Sequence, residues 1–593
     1  MKKRLLIVGL VLLILVSCTS PETLTPAAQN TNTPSPITDT PVKPSATPEV
    51  LPPNTFGVVD ASTFYGKVVV GYQGWFGCPT DDSGIGLWGH WSSDAENISI
   101  DTIHFEYWPD TTELTEDELC PTGIFDAQGN ELYLYSAYHP LTIKRHFLWM
   151  AQYGIDGIEL QRFANELEDA RYLKFRNQVL ENVRAGAEEY GRIFFIQYDG
   201  TTTGTIETIK QDWKYLVDSM NITSSPAYLH HNELPVVGLW GLGLLSRDIT
   251  PEAAQDLIDF FQNNPEPKYR ATVQGGVPAY WRTLSQDSKP EAAWADVYRS
   301  LDIINPWHTS AIGSQVDADY FLENTIIPDI EETNRLGIDY MPTVFSGFSW
   351  SNLYDRFPLN QTPRDGGKFL WKLAYNVISQ DVKMLEIAMF DEVDEGTQIM
   401  KVVETGDQLP PGDFMLAQDA DGYKLPSDWY LILAGRITAM LHGDIALTPE
   451  IADLPDQDLS GFQTVTINFT SQSDWNDLFI QNPDVIEYVE IVSSNGPISH
   501  FNANKYWISF SQSLKTAEAG YSISAQVRVY LKPDAELKTL NLKLRKGNIG
   551  WSTIEVTTIV DGVEIELANF SHQVNPNDPE HLNTLEVEVP LDF

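Results

Sequence analysis

From about residue 66 to residue 443, short β-rich runs alternate with amphipathic helical stretches, and this alternation most constrains how the 593-residue chain can fold. Repeated βα units pair their strands in parallel and cover them with helices. The strand candidates are residues 68–71, 103–107, 155–160, 193–198, 235–240, 269–274, 303–305, 340–345 and 385–390. Nine candidates compete for the eight strand places of a (β/α)8 barrel; 103–107 is the favoured one to lie outside it, and the sequence does not settle which does. Apolar residues recur every three or four positions at 141–153, 167–190, 251–263, 318–336 and 429–441, the expected outer ring of helices.

After Gly443 the period changes to two. Runs at 464–469, 488–492, 521–531, 540–544 and 554–560 alternate apolar and polar residues between turns, so 448–593 is expected to be an antiparallel β-sandwich. Trp475, Trp507 and Trp551 could line a sugar platform there, but a packing or spacer role is the preferred reading. The barrel domain is expected to span 56–447.

The N-terminus reads as an export signal: Lys2-Lys3-Arg4, an apolar run over 5–16, then Leu15-Val16-Ser17-Cys18. That ending resembles a bacterial lipobox, which implies a signal peptide over 1–18 and lipidation of Cys18, with simple secretion or an uncleaved anchor as alternatives. Residues 19–55 are rich in Thr and Pro and are expected to form a disordered stalk. The expected location is extracytoplasmic, at the cell surface or in the periplasm, with the membrane touched only through the lipid.

With 38 Lys and Arg against 82 Asp and Glu, the net charge of −44 repels phosphate backbones, so nucleic acid is excluded as a natural partner. Strongly anionic polysaccharides are disfavoured for the same reason. Sixteen Trp and 25 Tyr suit stacking on sugar faces, but equally suit a large core. Cys78 and Cys120 remain after lipidation; an oxidising exterior allows them to pair, and the sequence leaves that open. His90 and His146 have no partners at metal-ligand spacing, so no metal site is expected.

At residues 384–398 an apolar run breaks into Asp391, Glu392, Asp394 and Glu395, followed by Gly396. This reads as a buried strand carrying carboxylates to its C-terminal mouth, where barrel enzymes keep their reactive groups. Paired carboxylates there suit acid/base attack on a glycosidic bond. A solvated acidic turn or a calcium loop is the plainer alternative, although the full EF-hand spacing is absent. Other strand ends supply polar and aromatic side chains: Gln73 and Trp75, Gln161 and Arg162, Tyr198 and Asp199, Trp240, Trp281 and Arg282, Trp307, and Trp350. With Asp391 and Asp394 they form the expected substrate pocket.

Residues 391–399, Asp-Glu-Val-Asp-Glu-Gly-Thr-Gln-Ile, resemble the Asn-Glu-Trp-His-Glu-Gly-Thr-Gln-Ile segment of glycoside hydrolase family 99, the endo-α-mannosidases and endo-α-mannanases. Gly71-Tyr-Gln-Gly-Trp75, Gly157-Ile-Glu-Leu-Gln-Arg-Phe163 and Gly347-Phe-Ser-Trp350 resemble a broader bacterial group related to families 99 and 71, over residues 56–443. The resemblance implies a barrel glycosidase acting on α-linked glycans with net retention. In it Glu392 is the base toward the sugar 2-hydroxyl, which displaces the leaving group as a 1,2-anhydro sugar, and Glu395 is the general acid that then activates water. No cofactor is implied. The chain departs from the family at Val393-Asp394, in place of Trp-His, and at Asp391, in place of Asn. A non-catalytic glycan-binding lipoprotein is the alternative, and a metal-bound-water hydrolase is disfavoured by the scarcity of histidines at the mouth. Sugar identity, linkage, endo or exo action and oligomeric state are not fixed by these residues.

Overall fold

The computed structural model describes residues 51–591 except positions 310, 355–356 and 358 and the segments 458–462, 474, 482–485, 495–497, 503–506, 512–521, 532–538, 547–550, 561–562 and 574–582. The signal peptide, Cys18, most of the stalk and the side chain of Trp507 lie outside the described residues. Leu51 is buried and the Pro52 carbonyl accepts a hydrogen bond from the Tyr190 hydroxyl, so the folded body already includes these two residues.

Eight strands form the barrel: β1 Lys67–Tyr72, β2 Gly157–Phe163, β3 Ile193–Asp199, β4 Leu234–Trp240, β5 Thr272–Pro278, β6 Ile303–Trp307, β7 in two halves Asp339–Tyr340 and Thr343–Phe345, and β8 Met384–Ala388. Each pairs in parallel with its neighbours, and β8 pairs with β1. The first half of β7 pairs with β6 and the second with β8, so one strand interrupted at Met341-Pro342 closes the ring. Proline has no N–H to give a ladder, which accounts for the break. Residues 103–107 form only the isolated bridges Ser92↔Ile103 and Tyr107↔Leu416, outside the barrel as expected. Residues 269–274 shift: Pro267–Tyr269 is a 3-10 turn and the strand starts at Thr272.

The helices are α1 Pro140–Tyr153, α2 Ala170–Tyr190, α3 Ile206–Asp218, α4 Pro251–Asn263, α5 Ala293–Tyr298, α6 Gln315–Phe321, α7 Ile327–Leu336, α8 Lys368–Ile378 and α9 Trp429–His442. Their ends follow local chemistry: Asp169 caps α2 through the Arg171 N–H, Thr250 caps α4 through Ala253, and Gly154, in the left-handed region, ends α1. The single helix expected over 318–336 is divided, with a π turn at Leu322–Ile326 between α6 and α7. Pro328, at the start of α7, cannot donate a backbone bond to the turn before it. The sequence reading missed α3, α5 and α8.

The C-terminal region is two five-stranded antiparallel sheets. Val465, Ile467 and Phe469 of Gln463–Ser471 and Val527 and Val529 of Ile523–Leu531 share a core with Leu478 of Trp475–Ile480 and Leu540, Leu542 and Leu544 of Thr539–Lys546. Alternate residues of both sheets thus face one another, as in a sandwich. Cys78 and Cys120 are joined in a disulfide, with Cα atoms 6.3 Å apart. Among the described residues no helix is long and apolar enough to cross a membrane.

Candidate active site

The acidic segment leaves β8 at the barrel mouth and is braced on both sides. The Phe390 N–H donates to the Gly71 carbonyl (2.7 Å), and a Cβ at Gly71 would lie 2.1 Å from the Met389 sulfur, so any larger residue there displaces the Met389 side chain. Asp391 accepts from the backbone N–H groups of Gln73 (2.7 Å) and Gly74 (2.9 Å). On the other side Arg364, 3% exposed, donates to the carbonyls of Gly396 and Gln398 at 2.9 and 2.8 Å. Buried Glu106 links the Ser349 hydroxyl (3.0 Å) and the Asn352 N–H (2.7 Å), while the Ser349 N–H holds the Glu395 carbonyl at 2.9 Å. Arg364 and Glu106 carry no sequence signal that marks them as supports.

Glu392 accepts from the Gln73 amide (2.5 Å) and the Thr397 hydroxyl (2.8 Å). Burial, then the charges of Glu395 and Asp394, push its carboxyl well above the usual range. Glu395 is raised by burial and by Asp394; the Trp350 indole N–H faces it outside hydrogen-bond geometry and offsets part of the rise. Burial also raises Asp391 to about 7 and Glu106 to about 8. Four acids in one short loop therefore share fewer than four charges at neutral pH, as an acid beside a base requires.

Glu392 and Glu395 open onto a cavity of about 640 Å³. Its wall includes Gln73, Trp75, Gln161, Asp199, Trp240, Trp307 and Trp350, all expected from sequence. Arg247, Tyr280, Thr309, Phe348 and Tyr354 also line it and were not foreseen. Phe348 belongs to the Gly347–Trp350 motif, whose tryptophan alone was expected in the wall; the others sit on irregular loops, where neither period nor motif distinguishes them. Trp240 and Trp307 meet edge to face at 5.5 Å, and the Arg247 guanidinium lies over Trp240 at 4.7 Å while donating to Asp199. Trp75 stacks on His90 (3.8 Å) and on Phe163 (5.2 Å), so it offers the cavity an edge more than a face. Among the described residues, five buried polar atoms of the wall have no protein partner: Gln73 Oε1, Trp75 Nε1, Gln161 Oε1, Thr309 Oγ1 and Trp350 Nε1.

Four expected pocket residues lie elsewhere. Strand alternation turns Arg162 and Tyr198 away from the barrel axis, where Asp212 of α3 takes both Arg162 nitrogens at 2.6 Å and the Tyr198 hydroxyl at 2.7 Å. Trp281 and Arg282 both donate to Asp329 of α7, at 2.9 and 2.7 Å. Asp391 and Asp394 stand behind the wall rather than in it: Asp391 is committed to the backbone of β1's end, and Asp394 Oδ2 lies 3.5 Å from His90 Nδ1. Among the described residues no cluster of three or more His, Cys, Asp or Glu has metal-holding geometry.

No family model and no curated protein matches the chain. Among solved structures, the chain is similar to the GH99 endo-alpha-mannosidase from Bacteroides thetaiotaomicron at 16% identity, covering 64% of this chain and 99% of that one with a TM-score of 0.46. A second structure of that enzyme, in complex with bis-tris-propane, gives 16% identity, 64% and 98% coverage, and a TM-score of 0.45. A glycoside hydrolase-like protein gives 13% identity, 66% and 97% coverage, and a TM-score of 0.41.

Proposed function

We propose that this chain is a glycosidase that cleaves an α-linked oligosaccharide or polysaccharide, α-mannosides among the candidates, at the barrel mouth. The observation that carries the reading is the pairing of Glu392 and Glu395 beside a cavity walled by indoles and by five unpartnered polar atoms. A buried polar atom without a partner costs ~1–3 kcal/mol, and a polyhydroxylated ring is the ligand whose hydroxyls relieve several at once. Glu395, the more exposed of the two, is the general acid that protonates the leaving oxygen and later activates water. Glu392, oriented by Gln73 and Thr397, takes the proton of the sugar 2-hydroxyl in the molecules in which it is ionised, a fraction that its raised carboxyl makes grow with pH. Attack by that oxygen and then by water inverts the anomeric carbon twice, giving net retention without a glycosyl-enzyme ester.

The direct test incubates the protein from Leu51 onward with α-mannans, α-glucans and mixed plant and fungal polysaccharides and measures new reducing ends. Depletion of glycan without new ends would favour the glycan-binding alternative. On a cleaved substrate, the first anomer seen by NMR and the rate with a 2-deoxy reacting sugar separate the routes. Initial inversion, or rapid cleavage of the 2-deoxy substrate, excludes assistance by the 2-hydroxyl. We also propose attachment to the membrane through lipidated Cys18; Cys18→Ser should release the protein without changing the specific activity of the soluble body, and continued membrane retention overturns it.

A further inference from the structure

Below the cavity a chain of amides crosses the barrel. Gln161 Nε2 of β2 donates to Gln197 Oε1 of β3 (2.7 Å), Gln197 Nε2 to Gln274 Oε1 of β5 (3.3 Å), and Gln274 Nε2 to Asn305 Oδ1 of β6 (2.7 Å). Asn305 Nδ2 donates to the Met341 carbonyl (2.8 Å) and to Glu386 of β8 (2.9 Å). Strand β4 contributes no side chain at this level because Gly238 stands there; a Cβ would lie 2.5 Å from Gln274 Oε1 and 2.6 Å from Gln197 Cγ.

An amide can in principle be turned end for end, exchanging donor for acceptor. This chain has a fixed sense, because a backbone carbonyl can only accept. Asn305 must therefore turn its NH2 to Met341, which leaves its oxygen for Gln274. Each amide in turn then gives its NH2 to the next and keeps its oxygen for the one before. Gln161 is last: one N–H of its amide is used by Gln197, and its Oε1, buried on the cavity wall, has no protein partner among the described residues.

We infer that the Met341 carbonyl, acting through four buried amides, holds Gln161 as a hydrogen-bond acceptor toward the cavity, so that this point of the wall selects a hydroxyl or amide N–H of the sugar and rejects an acceptor-only group. The selection of a sugar group rests on the proposed glycosidase reading; the sense of the amide chain does not. Asn305, which does not touch the cavity, is thus a positioning residue for recognition.

Neutron diffraction from deuterium-exchanged crystals of the whole chain reads the sense directly. One deuteron of Gln161 Nε2 should point to Gln197 Oε1; a Gln161 oxygen facing a deuterated Gln197 amide, with no Gln161 deuteron on that contact, overturns the inference whether or not the protein is a glycosidase. For recognition, the polysaccharide cleaved in the reducing-end assay is the probe. Gln161→Glu, protonated in this buried place, keeps both the donation to Gln197 and the oxygen facing the cavity, and should hold KM within about threefold of wild type, whereas Gln161→Met should raise KM roughly tenfold with less change in kcat. An unchanged KM in Gln161→Met, or equal loss in both variants, overturns the selecting role. If wild type cleaves none of the glycans, the glycosidase reading fails, and the neutron result still decides the orientation.

Discussion

The barrel mouth and the layer between barrel and helices use the same kinds of side chain to opposite ends. In the outer layer every strong group named above is matched: Arg162 and Tyr198 with Asp212, and Arg282 and Trp281 with Asp329. At the mouth, Asp391, Glu392, Asp394 and Glu395 crowd together, and among the described residues no arginine pairs with either glutamate and indole and amide groups of the wall lack partners. A matched buried pair holds a fold together; an unmatched one stores its interactions for a ligand. An arginine or tryptophan near a strand end is therefore no sign of a site until its partner is known.

The largest expected effect separates the two regions. Glu395→Gln and Glu392→Gln should each lower kcat by roughly 10²–10⁴-fold with no loss of thermal stability, because neutral amides relieve the crowding of acids. Asp212→Ala should do the reverse, costing about 3–5 kcal/mol in denaturant unfolding by stranding Arg162, while the fraction that remains folded keeps its kcat. Near wild-type turnover in either glutamine variant, or a stable Asp212→Ala protein, would break the comparison.

The pH dependence of stability sharpens it. Glu106 and Glu395 are raised by burial from 4.5 to about 8, so between those values the folded protein keeps protons that the unfolded chain has released. Stability from these groups is fully present below about 4.5 and is lost as pH rises toward 8. Asp169, lowered to about 2 chiefly by its bond to Arg171, behaves oppositely and loses its contribution as pH falls. Thermal midpoints measured from pH 5 to 9 should decline, and less so in Glu106→Gln; a flat profile would remove the buried neutral carboxyls. For activity, kcat/KM should fall above about pH 8 as Glu395 loses its proton.

A smaller effect is expected at Arg247. Its removal by Arg247→Ala takes the cation from the Trp240 face and leaves Asp199 unpaired beside the cavity, and should weaken substrate binding by about 1–2 kcal/mol, read as KM. The smallest concerns the sandwich. Residues 444–457 belong with the barrel, since Trp371 donates to the Thr448 carbonyl, Arg436 to Ala452 and Gln457 to the Asp421 carbonyl. Truncation after residue 457 should therefore leave cleavage of small substrates unchanged, and a folded but inactive fragment would give the sandwich a part in the site.

Period and local chemistry determined much of this protein. Apolar runs at the right spacing marked all eight barrel strands, the two-residue period marked half of the sandwich strands, and the break from β8 into four acids marked the mouth. The same period also bears on two corrected residues: neighbours on one strand face opposite ways, so Gln161 with Arg162, and Tyr198 with Asp199, could not both line the cavity. What no local rule supplies is the partner. That Asp212 and Asp329 take the outward arginines, that Arg247 reaches over Trp240, that Glu106 and Arg364 brace the acidic loop, and that Met341 sets the sense of Gln161 all depend on residues many positions apart being brought together. Strand and helix form from interactions between near neighbours, whereas charge state and hydrogen-bond sense depend on everything that surrounds a group in the folded interior.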